Sequence, residues 1–325
     1  EIAISISPNQ AEFYTLLSKI YYLRKNFEQS LMFSEKALEL DSQNLDALNT
    51  MSLALIKLKR SKESFKTIEG ALSEDPNNPY THASYGWNLL ETGDHKKALL
   101  HFQESLKIDP TLEVSKEGMK EAIKAGNFLY RIFLKYQFWM SKLTSKYQWG
   151  VIIGIWMLSK ILNEVSERNQ SLSPFINPII YLFAGAVLLT WLIVPISNVF
   201  LRFNRYGDYL LKPFEKKNAN LVAVCLLFSL FCFLIGYLAD FGYLVYAGVF
   251  ALLLSIPGST FFNQFDKQWA LKLLFFLMLF FSFSSSMLIL KAFPFFNLMT
   301  ILFFISLYAF QILINFLSIK EDNPN

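Results

Sequence analysis

A 34-residue period dominates the first third of this chain and limits what it can fold into. Ala37, Ala71 and Ser105 stand 34 residues apart, as do Ser42, Pro76 and Pro110. The same spacing relates Tyr14, Leu48 and His82, then Leu17, Met51 and Tyr85, then Ser18, Ser52 and Gly86, then Tyr21, Leu55 and Leu89. A period of this length marks one supersecondary unit per repeat. No unit can bury its apolar faces alone, so the units must stack. Ser30, Ser64 and Ala98 are small where two helices of a unit have to approach closely. The endings LELDSQN, LSEDPNN and LKIDPTL each stop one helix pair and start the next.

These residues carry a resemblance to the tetratricopeptide repeat family over about residues 10–112. Only the third unit keeps the family's small-x-x-x-aromatic step, as Ala98 and Phe102. A further helix over about 111–125, with Val114, Met119, Ala122 and Ile123 near one stripe, is expected to cap the stack. The resemblance implies a concave groove lined by the first helix of each pair. By register, its lining residues are Lys19, Tyr22 and Leu23 from the first unit, Asn49, Leu53, Ile56 and Lys57 from the second, and Tyr80, Ala83, Trp87 and Glu91 from the third. The implied role is protein binding, with the chain's own segments as an alternative occupant. The dense Lys/Asn set of family members that clamp a C-terminal carboxylate is missing.

Near Ala125 the composition changes. Residues 1–125 hold 15 basic and 18 acidic residues, a net of −3, whereas residues 126–325 hold 15 and 8, a net of +7. The basic excess lies between long apolar runs rather than on a soluble face. That disfavours nucleic acid as a partner and suits the cytoplasmic loops of a membrane protein. Residues 126–146 read as a basic amphipathic helix lying in the membrane interface. Phe128, Leu129, Ile132, Phe133, Tyr136, Trp139, Met140 and Leu143 form its apolar face, and Arg131, Lys135, Lys142 and Lys146 supply charge. A rigid extension of the repeat stack is the alternative.

Apolar runs at about 147–163, 177–201, 219–239, 242–258, 269–290 and 295–318 predict a bundle of about six spans. With both termini cytoplasmic, inner segments carry 11 basic residues and outer loops carry 3, namely Lys160, Arg168 and Lys291. The inner set is Arg131, Lys135, Lys142, Lys146, Arg202, Arg205, Lys212, Lys216, Lys217, Lys267 and Lys320. This bias places the repeats in the cytoplasm. The loop 201–220 mixes Arg202, Arg205, Lys212, Lys216 and Lys217 with Phe203, Tyr206, Tyr209 and Phe214, and Gly207 allows a turn there. It is either an ordinary basic loop or a docking element at the interface. The expected organisation is a repeat domain over 1–125, an interfacial helix over 126–146, a polytopic domain over 147–319 and a tail over 320–325. No cleavable signal peptide is expected at Glu1.

Catalytic chemistry has little foothold. All three histidines, His82, His95 and His101, lie in the third unit, at spacings that do not share a helix face. Cys225 and Cys232 sit on one face of one apolar run, which disfavours a disulfide. The membrane half has no His, and its acids fall at helix ends or in loops. Within the spans, Asn198, Gln311, Asn315 and the serines of FSFSSSM are better suited to helix packing than to an ion path. No catalytic residue, metal or cofactor is therefore assigned. The layout also resembles bacterial inner-membrane proteins with N-terminal repeats, through SKEGMKEAIKAGNFLYRIFLKYQFWMSKL, KYQWGVIIGIW and LRFNRYGDYLL. The expected role is a membrane scaffold or adaptor that recruits a protein partner through the groove. A regulatory or structural subunit of a transporter, channel or secretion machine is the alternative.

Overall fold

The computed structural model describes residues 7–263 and 268–322, apart from the side chains of Ser145, Lys146, Ile152, Gln268, Asn315 and 318–322. Every regular element among them is helical. Contacts divide the chain into two units, 1–183 and 184–325, with the break falling inside one long helix.

The first unit opens with three helix pairs. They are α1 (Ala11–Leu23) with α2 (Phe27–Leu40), α3 (Leu45–Lys57) with α4 (Ser61–Glu74), and α5 (Pro79–Thr92) with α6 (His95–Ile108). Asparagine or aspartate caps open four of these six helices, because their side chains accept from otherwise orphaned N–H groups. Asn26 accepts from Gln29, Asn44 from Ala47, Asn78 from Thr81 and Asp94 from Lys97. The turn inside each pair repeats a left-handed residue at the same register: Lys25, Lys59 and Gly93. Only the third is glycine, the residue that adopts this conformation without strain.

How tightly the pairs meet depends on one buried position per helix, and its chemistry changes along the stack. In the first pair Ser18 donates to the Ser30 carbonyl at 2.7 Å and shares a 2.6 Å hydroxyl contact with Ser34. The second pair joins Ser52 and Ser64, bridged by Asn88 from the third pair at 3.2 and 3.0 Å. In the third pair Gly86 takes the register of Ser18 and Ser52, and Phe102, at the register of Ser34 and Ile68, buries its phenyl ring fully against it. The cap helix α7 (Glu113–Lys124) closes over that ring with Gly118. A Cβ added at Gly118 would lie 2.2 Å from Phe102 Cζ.

Helices α8 (Phe128–Lys142) and α9 (Ser145–Arg168) follow. The side chain of Asn127 caps α8 by accepting from Leu129 and Tyr130 N–H. Helix α8 turns Tyr130 and Leu134 inward as buried residues and leaves Phe128, Leu129, Ile132 and Trp139 exposed. Most of α9 is uncovered, with Trp149 at 64% exposure.

The long helix α10 (Ser173–Phe203) leads into the second unit, which continues with a short α11 (Gly207–Leu210), then α12 (Pro213–Leu238), α13 (Gly242–Gly258), α14 (Gln268–Leu290) and α15 (Leu298–Asp322). Helices α12 and α13 form the expected tight hairpin, with Asp240 left-handed in the turn. Gly248 lets α13 approach Phe233, and Ser229 donates to the Gly248 carbonyl at 2.8 Å. A core of Phe250, Leu254, Phe275, Met278, Phe303 and Phe310 joins α13, α14 and α15. The serine run serves packing: Ser285 shares a 2.6 Å hydroxyl contact with Thr300 across α14 and α15, and Asn297 donates to Ser285 at 3.1 Å.

Ser173–Phe203, Pro213–Leu238 and Trp269–Leu290 are long and apolar enough to cross a membrane, which marks this as a membrane protein. Gly242–Gly258 and Leu298–Ile314 are apolar but shorter. Helices occupy all six expected runs. By length and composition, three of them meet the requirement for a span.

The packing around Phe102 generates a test. Alanine at position 118 gains about 1 kcal/mol of helix propensity, but overpacking a closed core costs about 1–3 kcal/mol. Gly118→Ala is expected to lower the thermal midpoint, and Phe102→Leu added to it should recover part of the loss. A double-mutant cycle by calorimetry measures both.

Candidate functional site: the repeat groove

The first helices of the three pairs line a cavity of about 350 Å³. Lys19, Tyr22 and Leu23 from α1 form one wall. Asn49 and Leu53 from α3 form the floor, and Tyr80, Ala83 and Trp87 from α5 form the other wall. The sequence-predicted residues therefore converge, eight of them on one cavity, joined by Asp46, Thr50, Ser84 and Val114. The surface is largely apolar and aromatic. Tyr80 is 56% exposed at its mouth, and Lys19 pairs with Asp46 at 2.6 Å on the rim. Trp87 is fixed by a 3.3 Å hydrogen bond from Nε1 to the Val114 carbonyl and by edge contact with Phe102. Asn49 is 6% exposed; its Nδ2 donates to Thr81 at 3.1 Å, and its Oδ1 accepts no hydrogen bond from a described residue.

The other three predicted lining residues lie elsewhere. Ile56 is in the core of the stack. Lys57 and Glu91 form a 2.5 Å ion pair with side chains only 13% and 8% exposed. What covers them is α8. Lys142 reaches Glu91 at 2.9 Å, Phe138 meets Trp87 edge-on with centroids 6.4 Å apart, and the Lys57 ammonium sits 5.5 Å from the Phe138 ring centre. Lys25 donates to the Leu143 carbonyl at 2.7 Å, and Tyr130 donates to Glu121 at 2.6 Å. Burial, and then the nearby Glu91 charge, push the Tyr22 hydroxyl pKa upward.

Of the basic residues expected at the interface, Lys142 pairs with Glu91, and Arg131 is half-buried, with its Nε unpaired among the described residues. Lys135 and Trp139 do face outward on α8. In the loop after α10, Asp208 holds Arg202 at 2.7 Å and Lys216 at 3.0 Å. The Lys216 hydrogen bond is the first cause keeping the Asp208 carboxyl below its usual pKa. Arg205, Lys212 and Lys217 stay exposed. Gly207 is required in this turn because a Cβ there would sit 2.5 Å from Leu201. The side chains of Lys146, Asn315 and Lys320, and Asp266 and Lys267 altogether, lie outside the described residues.

Phe138, Lys25 and Leu143 were missed as groove residues. The signal was present: α8 carries Tyr130, Leu134 and Phe138 at four-residue spacing opposite its named apolar face, and a second apolar stripe calls for a second covering surface. Tertiary packing also joins two histidines that sequence spacing kept apart. His82 and His101 approach through their Nδ1 atoms at 3.1 Å, with the Tyr85 ring tilted against His101 at a centroid distance of 4.2 Å. Among the described residues, no group of three or more His, Cys, Asp or Glu is placed to hold a metal.

A groove of this build on stacked helix pairs defines a protein-interaction module. A tetratricopeptide repeat family model matches residues 11–44, the first pair with its flanks, and such repeats serve protein–protein interaction. No curated protein matches the chain.

Burial, and then the neighbouring His82, lower the His101 pKa to about 4 from an ordinary 6.5. The fold thus prefers the neutral ring, so its contribution is complete above pH 6.5 and declines as pH falls toward 4. The thermal midpoint should drop between pH 7 and pH 4.5 in the wild type and drop less in His101→Gln. Scanning calorimetry at the two pH values measures the difference.

Proposed function

We propose that this protein is a non-catalytic membrane adaptor, which holds a protein partner in its repeat groove beside a membrane complex. The convergence of Tyr22, Leu23, Leu53, Tyr80 and Trp87 on one cavity carries this reading. Aromatic anchors around a pocket are the usual source of interface affinity. The unpaired Asn49 Oδ1 would accept an N–H from the bound segment, since a buried acceptor left unpaired is costly.

In this reading residues 1–125 bind, residues 126–146 rest at the membrane interface, residues 147–319 cross the bilayer about six times, and residues 320–325 form a tail. Lys135 and Trp139, with Arg205, Lys212 and Lys217, would meet the headgroups. The basic bias of the inner loops supports a cytoplasmic groove, in a bacterial inner membrane. The exposed apolar surfaces of α9, α10, α12 and α14 support lipid contact, because such area is unfavourable in water.

Leu23 and Tyr80 are exposed, so truncating them spares the core. Leu23→Ala with Tyr80→Ala should reduce partner recovery at least tenfold, the effect of about 1.4 kcal/mol, while the protein stays in the membrane fraction. A photo-crosslinking residue at position 80 in native membranes, followed by mass spectrometry, identifies the partner. Unchanged recovery in the double variant would sink the proposal.

A further inference from the structure

Beyond Trp87 the first helices of the pairs are covered by α8 of the same chain. Helix α8 lays Phe138 between Trp87 and the Lys57 ammonium, and four residues on it delivers Lys142 to Glu91 at 2.9 Å. Residues four apart on a helix share a face, so one helical surface makes both contacts. The receiving side comes from adjacent repeats at one register, since Lys57 and Glu91 are 34 residues apart. Lys57 pairs with one carboxylate oxygen of Glu91 at 2.5 Å, and the Lys142 ammonium lies 2.9 Å from the other in a second ion pair. Lys25 then holds the end of the helix through the Leu143 carbonyl.

We propose, given that the groove takes a partner protein, that its far end is a recognition site for a helical segment carrying an aromatic residue followed four positions later by Lys or Arg. Helix α8 is the resident occupant of that site. A partner presenting this pair displaces α8, whereas a partner confined to the open cavity beside Tyr80 leaves α8 seated. Displacement frees the segment that leads directly into α9, so the state of the groove is passed to the membrane-proximal chain.

The test uses the full chain in detergent micelles and a fluorescein-labelled peptide spanning Phe128–Lys142. Its control is the same peptide with Phe138→Ala and Lys142→Ala. Anisotropy should show the wild-type peptide binding to a Phe138→Ala, Lys142→Ala chain at least tenfold tighter than to the wild-type chain, with the control peptide bound by neither. Adding Glu91→Gln to that chain should lower its affinity for the wild-type peptide at least tenfold. Hydrogen exchange over Phe128–Lys142 should quicken at least tenfold in the double variant, while α3 and α5 keep wild-type protection and so report an intact stack. Equal binding to both chains, equal binding of both peptides, or binding to neither chain overturns the proposal. Crosslinking at position 80 reads the recruitment role separately. A partner captured there without the peptide effect rejects the resident helix alone, and the peptide effect without a captured partner rejects recruitment alone.

Discussion

One carboxylate ties the repeat stack to the connector. Glu91 sits with its side chain 8% exposed and two ammonium groups upon it, Lys57 from the second unit and Lys142 from α8. A charge so far from water is tolerated only when paired, and removing one partner of a buried pair costs about 3–5 kcal/mol. Here the pairing is shared. Two lysines meet one acid, and the surplus positive charge of Lys57 lies against the face of Phe138. The position of α8 and the closure of one end of the groove follow from that arrangement.

Closure gives the groove two halves of different character. The half beside Tyr80, Leu23 and Asn49 is open, aromatic and short of a hydrogen-bond donor. The half beyond Trp87 is filled and charge-paired. An open apolar half suits recruitment, and a filled half suits control of what is recruited. The outer face of α8 keeps Phe128, Ile132 and Trp139 exposed while Tyr130, Leu134 and Phe138 turn toward the stack, so one helix carries two apolar stripes on opposite sides.

Much of this was legible in the sequence because periodicity is a backbone property. The 34-residue register located the three helix pairs, the cap and eight of the lining residues, since each follows from which helix face a residue occupies. Ile56, Lys57 and Glu91 escaped the same logic. Register places them on the groove-side helices, but a neighbour decides whether a side chain lines an opening or is sealed beneath another helix. His82 and His101 failed for the converse reason: no single-helix spacing reports a contact between α5 and α6. In the loop after α10, spacing alone does not report that Asp208 pairs with Arg202 and Lys216, a contact made across the turn at Gly207.

The buried step from Ser18 and Ser34, through Ser52 and Ile68, to Gly86 and Phe102 grades the stack from hydroxyl contacts to a ring enclosed by two glycines. Apolar burial is worth roughly 25 cal/mol per Å², so cohesion rises toward the third unit. In an array where each repeat leans only on its neighbours, opening therefore enters from α1. The last structure to loosen is the third unit, where Trp87 and Glu91 meet α8. Heat or force would loosen the wall of Lys19, Tyr22 and Leu23 while the wall of Tyr80 and Trp87 stays folded, which gives this groove a weak lip and a firm back.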